Sequence, residues 1–202
     1  MAHIPDGVLS FPVLIGGGVI AACAVALGLK KIGDEDIPRT AILASGFFAL
    51  SLFALPVGPS SVHLLLGGLM GIVLGAAIFP AVCVALLLQA VMFGFGGLTT
   101  LGVNVVNIAL PGALIGSLVA PMIQSATPAR AALIAGVASA LCVGLTGLLV
   151  ATALALSSAD YMFSARVMIA TYIPLMLIEG LVGGFCISFV KRVKPELLAG
   201  AA

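Results

Sequence analysis

Apolar stretches dominate this chain, and polar residues punctuate them. Apolar runs occupy about 10–30, 40–57, 64–79, 80–95, 105–124, 130–157 and 167–190. Crossing a bilayer takes about 20 apolar residues over roughly 30 Å of hydrocarbon. The pattern predicts an all-α polytopic membrane protein with about seven transmembrane helices. The third and fourth runs merge: residues 65–95 are continuous apolar sequence broken only by Pro80 and glycines, two short spans or one long kinked one. Small residues recur every four positions, as Gly18, Ala22 and Ala26 and as Gly67, Gly71 and Gly75. Such stripes let helix backbones approach closely in lipid and predict tight helix contacts.

The basic residues choose between six and seven spans. With seven, Lys30, Lys31, Arg39, Arg130, Lys191, Arg192 and Lys194 share one face and Arg166 stands alone on the other; with six, the split is even. Basic residues concentrate on the cytoplasmic side. Seven spans are therefore expected, with the N-terminus outside and the C-terminus cytoplasmic, in a cell inner membrane. The outer face then carries the N-terminal arm, the loop before His63, the segment from Gly94 to Asn104, and the loop around Asp160 and Arg166.

Composition sharpens this picture. Hydrophobic residues make up 62% of the 202 and charged residues 7%, against about 25% charged in a soluble domain. One membrane domain, 1–202, is expected, with residues 1–9 as an arm. The net charge of +1 and the lack of a basic patch leave no surface for nucleic acid. Cys23, Cys83, Cys142 and Cys186 all sit within apolar runs, at spacings that suggest packing rather than a metal or disulfide framework. No Lys or Arg precedes Lys30, so no removable signal is expected. No phosphate loop is present, so an ion carrier of this kind would need a coupling ion or a partner.

The two histidines are His3 and His63, and the predicted topology places both on the outer side. A histidine near a free N-terminus can offer the terminal amine, a deprotonated amide and its imidazole Nδ1 to one metal ion. Such planar nitrogen coordination suits Ni²⁺ or Cu²⁺. If Met1 is removed, the Ala2 amine, the His3 amide and the His3 imidazole leave a fourth position for His63. If Met1 is retained, the Met1 amine, the Ala2 and His3 amides and the His3 imidazole already make four, and His63 becomes axial or outer. The bland alternative is a solvated arm histidine and an interfacial His63.

The opening Met-Ala-His-Ile-Pro-Asp-Gly resembles the Met-His-Ile-x-(Glu/Asp)-Gly start of the CbiM/NikM family, the substrate-binding membrane (S) components of energy-coupling-factor importers for cobalt and nickel. Ser60-Ser61-Val62-His63-Leu64 resembles that family's Ser-Val-His motif. Gly96-Gly97-Leu98-Thr99-Thr100-Leu101-Gly102-Val103-Asn104, followed by Asn107, resembles its Gly-Gly-Leu-Thr-Thr-Leu-Gly-x-Asn segment. Ile178-Glu179-Gly180 and the tail from Lys191 to Glu196 add to a likeness that covers essentially the whole chain. The resemblance implies an arm tucked into an outward pocket. It implies Ni²⁺ or Co²⁺ as transported substrate, held by the terminal amine, the His3 amide, and the His3 and His63 imidazoles, with no organic cofactor. It also implies a transmembrane coupling (T) subunit, paired cytoplasmic ATPases that hydrolyse the ATP, and in some systems a small accessory membrane subunit. Ala2 departs from the family start, and Met1 removal would restore the family's geometry.

Other polar residues are candidates for the pocket or its surround. Asp6 either turns the chain or holds an imidazole from behind. Gln89, Thr99, Thr100, Asn104 and Asn107 are polar residues in or beside apolar runs that need partners, supplied by plain helix or loop hydrogen bonding or by lining the pocket. The resemblance favours Thr99, Thr100 and Asn104 for a loop that closes over the arm, and Ser61, in the Ser-Val-His motif, is a further candidate for the pocket. Glu179, the only acid deep in a span, is a functional candidate by position: it could pair with a buried polar group, stay protonated, or meet a partner subunit. Asp34, Glu35 and Asp36 form a solvated cytoplasmic turn or a docking patch. Two other functions fit the sequence less well. A membrane enzyme using His63 and Glu179 lacks a motif. A vitamin-binding S component would want aromatic residues, and the chain has no Trp and two Tyr.

Overall fold

The computed structural model describes residues 3–53, 55–57 and 60–198, with 55–57 and 60–62 described by their backbone. Seven α-helices and one hairpin are present among these residues: α1 Phe11–Lys31, α2 Ile37–Ser51, β1 Leu55–Val57, β2 Ser60–Val62, α3 Gly67–Leu74, α4 Ile78–Phe93, α5 Leu101–Ser125, α6 Pro128–Ser157 and α7 Met162–Val193. Prolines open α1, α2 and α6 within their first two positions, where a missing N–H removes no helical bond. Lys30 and Lys31 end α1, and Lys191 and Arg192 end α7, placing positive charge at the negative pole of each helix.

The predicted second run does not stay helical to 57. The helix stops at Ser51, and Leu55–Val57 pairs antiparallel with Ser60–Val62, with Pro56 opposite Ser61. Pro56 cannot supply the N–H that a continuing helix requires. The break between the third and fourth runs is at Gly75, whose φ of 54° and ψ of −126° lie outside the range open to other residues. Pro80 sits harmlessly in the first turn of α4.

Contacts fix the chain directions. A Cβ on Gly67 would meet the Ile108 carbonyl and one on Gly71 would strike the Gly112 carbonyl, while Gly116 abuts Gly71. The short α3 therefore runs alongside α5 in the same direction. Phe93, at the end of α4, is joined to Leu101 by seven residues, so α4 returns toward the start of α5. Residues 67–93 thus form a helical hairpin with unequal arms, turned at Gly75. Gly17 and Gly18 of α1 pack on Val103 and Gly102, and Gly28 meets Ala76 and Pro80, so α1 descends beside α5. The small-residue stripes are the helix contacts themselves.

These directions bring Lys30, Lys31, Arg39, Arg130, Lys191, Arg192 and Lys194 to one end of the bundle. At that end Lys191 Nζ donates to the Gln124 carbonyl at 2.5 Å and Gln124 donates to the Leu198 carbonyl at 2.9 Å. Asp36 pairs with Arg39 at 2.9 Å in the turn between α1 and α2. Among the described residues, five stretches are long and apolar enough to cross a membrane: Phe11–Lys31, Gly67–Phe93, Leu101–Ser125, Pro128–Ser157 and Ala159–Val193. The second of these is α3 and α4 taken together through their turn, and α2 is shorter at 15 residues. Large apolar side chains face outward all around, among them Phe11, Leu118, Phe163 and Leu181. Such a surface requires lipid around it, and the protein is a multi-pass membrane protein.

Candidate metal centre

The site lies at the end of the bundle opposite the basic residues. The arm, residues 3–10, folds over the start of α5, held chiefly through its main chain. Asn104 Nδ2 donates to the Ile4 carbonyl and Asn104 Oδ1 accepts from the Ile4 N–H, both at 3.0 Å. Thr100 Oγ1 donates to the same carbonyl at 2.7 Å. Thr100 and Asn104 are one helical turn apart, so their side chains share a face. Ile4 and Leu9 pack with Val103, Val150 and Leu154, and the Ser10 N–H donates to Ser157 Oγ at 3.1 Å.

The loop between α4 and α5 closes over this arm. Asp6 accepts from the N–H groups of Leu98, Thr99 and Thr100 at 3.2, 3.0 and 3.3 Å, and from Thr99 Oγ1. These bonds favour the ionised form and hold the carboxyl below its ordinary pKa, the Thr99 hydroxyl most of all. Gly96 has φ of 76°, and a Cβ there would press on His3 and Asn104. At Gly97 a Cβ would overlap the Asp6 carboxylate. The paired glycines are the only residues that let the loop lie this close to the arm.

His63 follows β2 directly. Its Nδ1 lies 2.9 Å from the Leu64 carbonyl. A carbonyl only accepts, so Nδ1 carries the proton and Nε2 presents a lone pair. That Nε2 lies 2.8 Å from His3 Nε2, the two rings stacked with centroids 4.8 Å apart. Phe47 closes one side of His63, edge-on at 6.3 Å. Both histidines are almost fully buried, at 4% and 5% exposure. Burial lowers both pKa values, that of His3 to about 3 with the neighbouring His63 adding to the effect. Both imidazoles are therefore neutral at physiological pH, the form that binds metal.

His3 Nδ1 is buried and has no hydrogen-bond partner among the described residues. A buried polar atom without a partner is costly, and a lone pair kept in that state beside its own main-chain amide suits a metal. With the lone pair on His63 Nε2, the 2.8 Å contact is a hydrogen bond donated by the His3 Nε2–H, which leaves the lone pair of His3 on Nδ1. No group of three or more His, Cys, Asp or Glu side chains able to hold a metal occurs among the described residues.

The structure thus brings together His3, His63, Thr99, Thr100 and Asn104. Asp6 lies beside them, but its described bonds go to the loop and none to an imidazole. Met1 and Ala2 lie outside the described residues, as does the Ser61 side chain. Gln89 is buried elsewhere, its Nε2 donating to Ser51 Oγ at 2.7 Å. Asn107 is buried with Nδ2 unpartnered. Glu179 does not face His63 directly: its Oε1 accepts from the N–H groups of Leu65 and Leu66, the latter at 2.9 Å. Ile4 is absent from the sequence-based set because its part is played by backbone atoms, which its side chain does not announce.

A family described as the cobalt uptake substrate-specific transmembrane region, CbiM, matches residues 3–197. This chain belongs to the CbiM family. A Haemophilus influenzae protein named for metal transport is 34% identical over 198 residues, covering 97% of this chain and 96% of that one. The fused nickel transport protein NikMN of Rhodobacter capsulatus is 36% identical over 126 residues, 58% of this chain and 35% of that longer protein. The crystal structure of a transition metal transporter superposes with a TM-score of 0.80 at 23% identity, over 95% of this chain and 93% of that one. A truncated transition metal transporter gives 0.77 at 24%, over 96% and 98%. At these identities the two structures establish the fold. Within the CbiM frame, the arm motif, the Ser-Val-His motif and the Gly-Gly-Leu-Thr-Thr segment are the three stretches that meet at the site.

Proposed function

We propose that this CbiM-family protein is the substrate-specific component of a cobalt or nickel importer and captures Ni²⁺ or Co²⁺ at the outer face. The observation that carries this is the buried pair of neutral imidazoles, with Nε2 atoms 2.8 Å apart and His3 Nδ1 unpartnered. The end of the bundle that bears the seven basic residues is cytoplasmic by the positive-inside rule, which puts the histidines outside and the C-terminus inside a cell inner membrane. His3, its amide and the amine preceding it supply one set of nitrogens. That amine belongs to Ala2 if Met1 is removed and to Met1 if it is retained. His63 Nε2 supplies the next ligand in the first case. An all-nitrogen planar set favours Ni²⁺ over Co²⁺.

The chain carries no nucleotide-binding loop, so uptake needs partners. Relatives named as fusions, NikMN and CbiMQ, support a multi-subunit assembly. We assign this chain a membrane coupling subunit and paired cytoplasmic ATPases, with the small accessory membrane subunit found in some systems as an optional addition. An enzyme built on His63 and Glu179 finds no support in the geometry, because the Glu179 carboxyl is engaged with backbone amides.

The test is the N-terminus. Ni²⁺ binding to purified protein is measured by calorimetry with the native amine, after N-terminal acetylation, and with a three-residue extension. Binding should weaken strongly in both altered forms. Equal affinity in all three would remove the amine from the ligand set.

A further inference from the structure

We infer that Glu179 is a positioning residue for His63, acting through the single peptide unit between Leu64 and Leu65. This deepens the metal assignment and rests on His63 being a ligand.

The peptide bond is a rigid trans plane whose carbonyl and N–H point in opposite directions. The Leu64 carbonyl and the Leu65 N–H belong to one such plane. On the carbonyl side, His63 Nδ1 donates at 2.9 Å. On the N–H side, Glu179 Oε1 accepts from Leu65, and also from Leu66 at 2.9 Å. The carboxyl, the peptide and the imidazole therefore form one relay that ends on the His63 Nε2 lone pair. Metal-ligating histidines commonly give their second ring N–H to a carboxylate or a carbonyl. Here a carbonyl accepts that hydrogen bond, and a carboxyl stands behind the carbonyl's peptide unit.

The local backbone needs this support. Leu66 has φ of 50°, the one positive value among described non-glycine residues. Leu65 and Leu66 are 1% and 5% exposed, so water cannot reach their amides. They precede the first turn of α3, whose N–H groups lack helical partners and whose pole is positive. Glu179, itself 1% exposed on α7, satisfies both amides and fixes the orientation of the Leu64 carbonyl. That carbonyl decides which His63 nitrogen carries the proton. Hydrogen-bonded chains of this kind strengthen one another.

Glu179→Gln, Glu179→Asp and Glu179→Ala test the relay in the full chain, each checked for helical content and monodispersity. Two readouts are used: ¹⁵N chemical shifts of His63 in metal-free protein, which report its tautomer, and calorimetric affinity for Ni²⁺ alone. Wild-type protein should show His63 protonated at Nδ1. Alanine and aspartate, the second too short to reach, should mix the tautomers and raise Kd about 10–100-fold. Glutamine keeps an acceptor oxygen but loses charge assistance, and should fall between. A folded Glu179→Ala protein with wild-type tautomer and affinity would overturn the inference. If alanine does not fold, an unchanged tautomer and Kd in folded Glu179→Gln overturns it instead. If wild-type protein does not bind Ni²⁺ or Co²⁺, the metal assignment fails, while the metal-free tautomer still decides the relay.

Discussion

His3 Nε2 and His63 Nε2 lie 2.8 Å apart although sixty positions separate them in the chain. The arm brings one ring and the end of the β1–β2 hairpin brings the other, so the site exists only once the arm is folded against α5 and the hairpin end lies beside it.

Replacing either histidine by alanine should remove tight Ni²⁺ binding while leaving helical content unchanged. Loss of a ligand should exceed the 10–100-fold typical of an outer partner. Calorimetry with circular dichroism on the same sample checks this, and unchanged affinity in both variants would dismiss the pair as a site.

Asn104→Leu should loosen the arm. It strands the Ile4 N–H, a buried group costing about 1–3 kcal/mol when left unsatisfied, and leaves the Ile4 carbonyl to Thr100 alone. Thr100→Val should do less, because Asn104 still bonds the carbonyl. Limited proteolysis within residues 3–10 and Ni²⁺ affinity should both rank the variants in that order.

Gly97→Ala should lower metal affinity without touching a ligand, since the new methyl overlaps the Asp6 carboxylate and lifts the loop. Asp6→Asn should weaken the same closure by discharging the acceptor of four hydrogen bonds. The loop mobility that follows is measurable by hydrogen exchange at residues 96–100.

Much of this arrangement was legible in the sequence and some was not. Apolar runs located the helices, because a bilayer demands uniform hydrophobicity, and basic residues placed their ends. The turn at Gly75 was not legible, since glycines also mark helix packing in lipid, and Gly67 and Gly71 do that here. The hairpin after Ser51 was hidden because Leu55 and Val57 suit strand and membrane helix alike. His3, His63, Thr100 and Asn104 stood out as polar residues needing partners. Glu179 stood out too, but its partners are backbone amides, which no sequence pattern displays.

Acid should destabilise the metal-free protein through His3. Its folded pKa of about 3 lies below the ordinary 6.5, so the unfolded chain binds the extra proton between those values. The stabilising contribution is complete above pH 6.5 and is lost as pH falls toward 3. Thermal unfolding in detergent should show Tm dropping from pH 7.5 to 4.5, with a shallower drop in His3→Ala. Because the His3 imidazole stays neutral from pH 5 to 7, loss of Ni²⁺ binding in that interval does not come from protonation of His3 and points to the remaining donors.

Asn104 grips Ile4 by its peptide groups and ignores the side chain. The arm is thereby measured from a fixed datum at position 4, like a scale clamped at one graduation. Residues added upstream of His3 shift only the amine, whereas a single residue inserted between His3 and Ile4 would carry the imidazole away from His63. The length of such an arm is therefore constrained on both sides of the histidine, upstream by the amine and downstream by the clamp at Ile4.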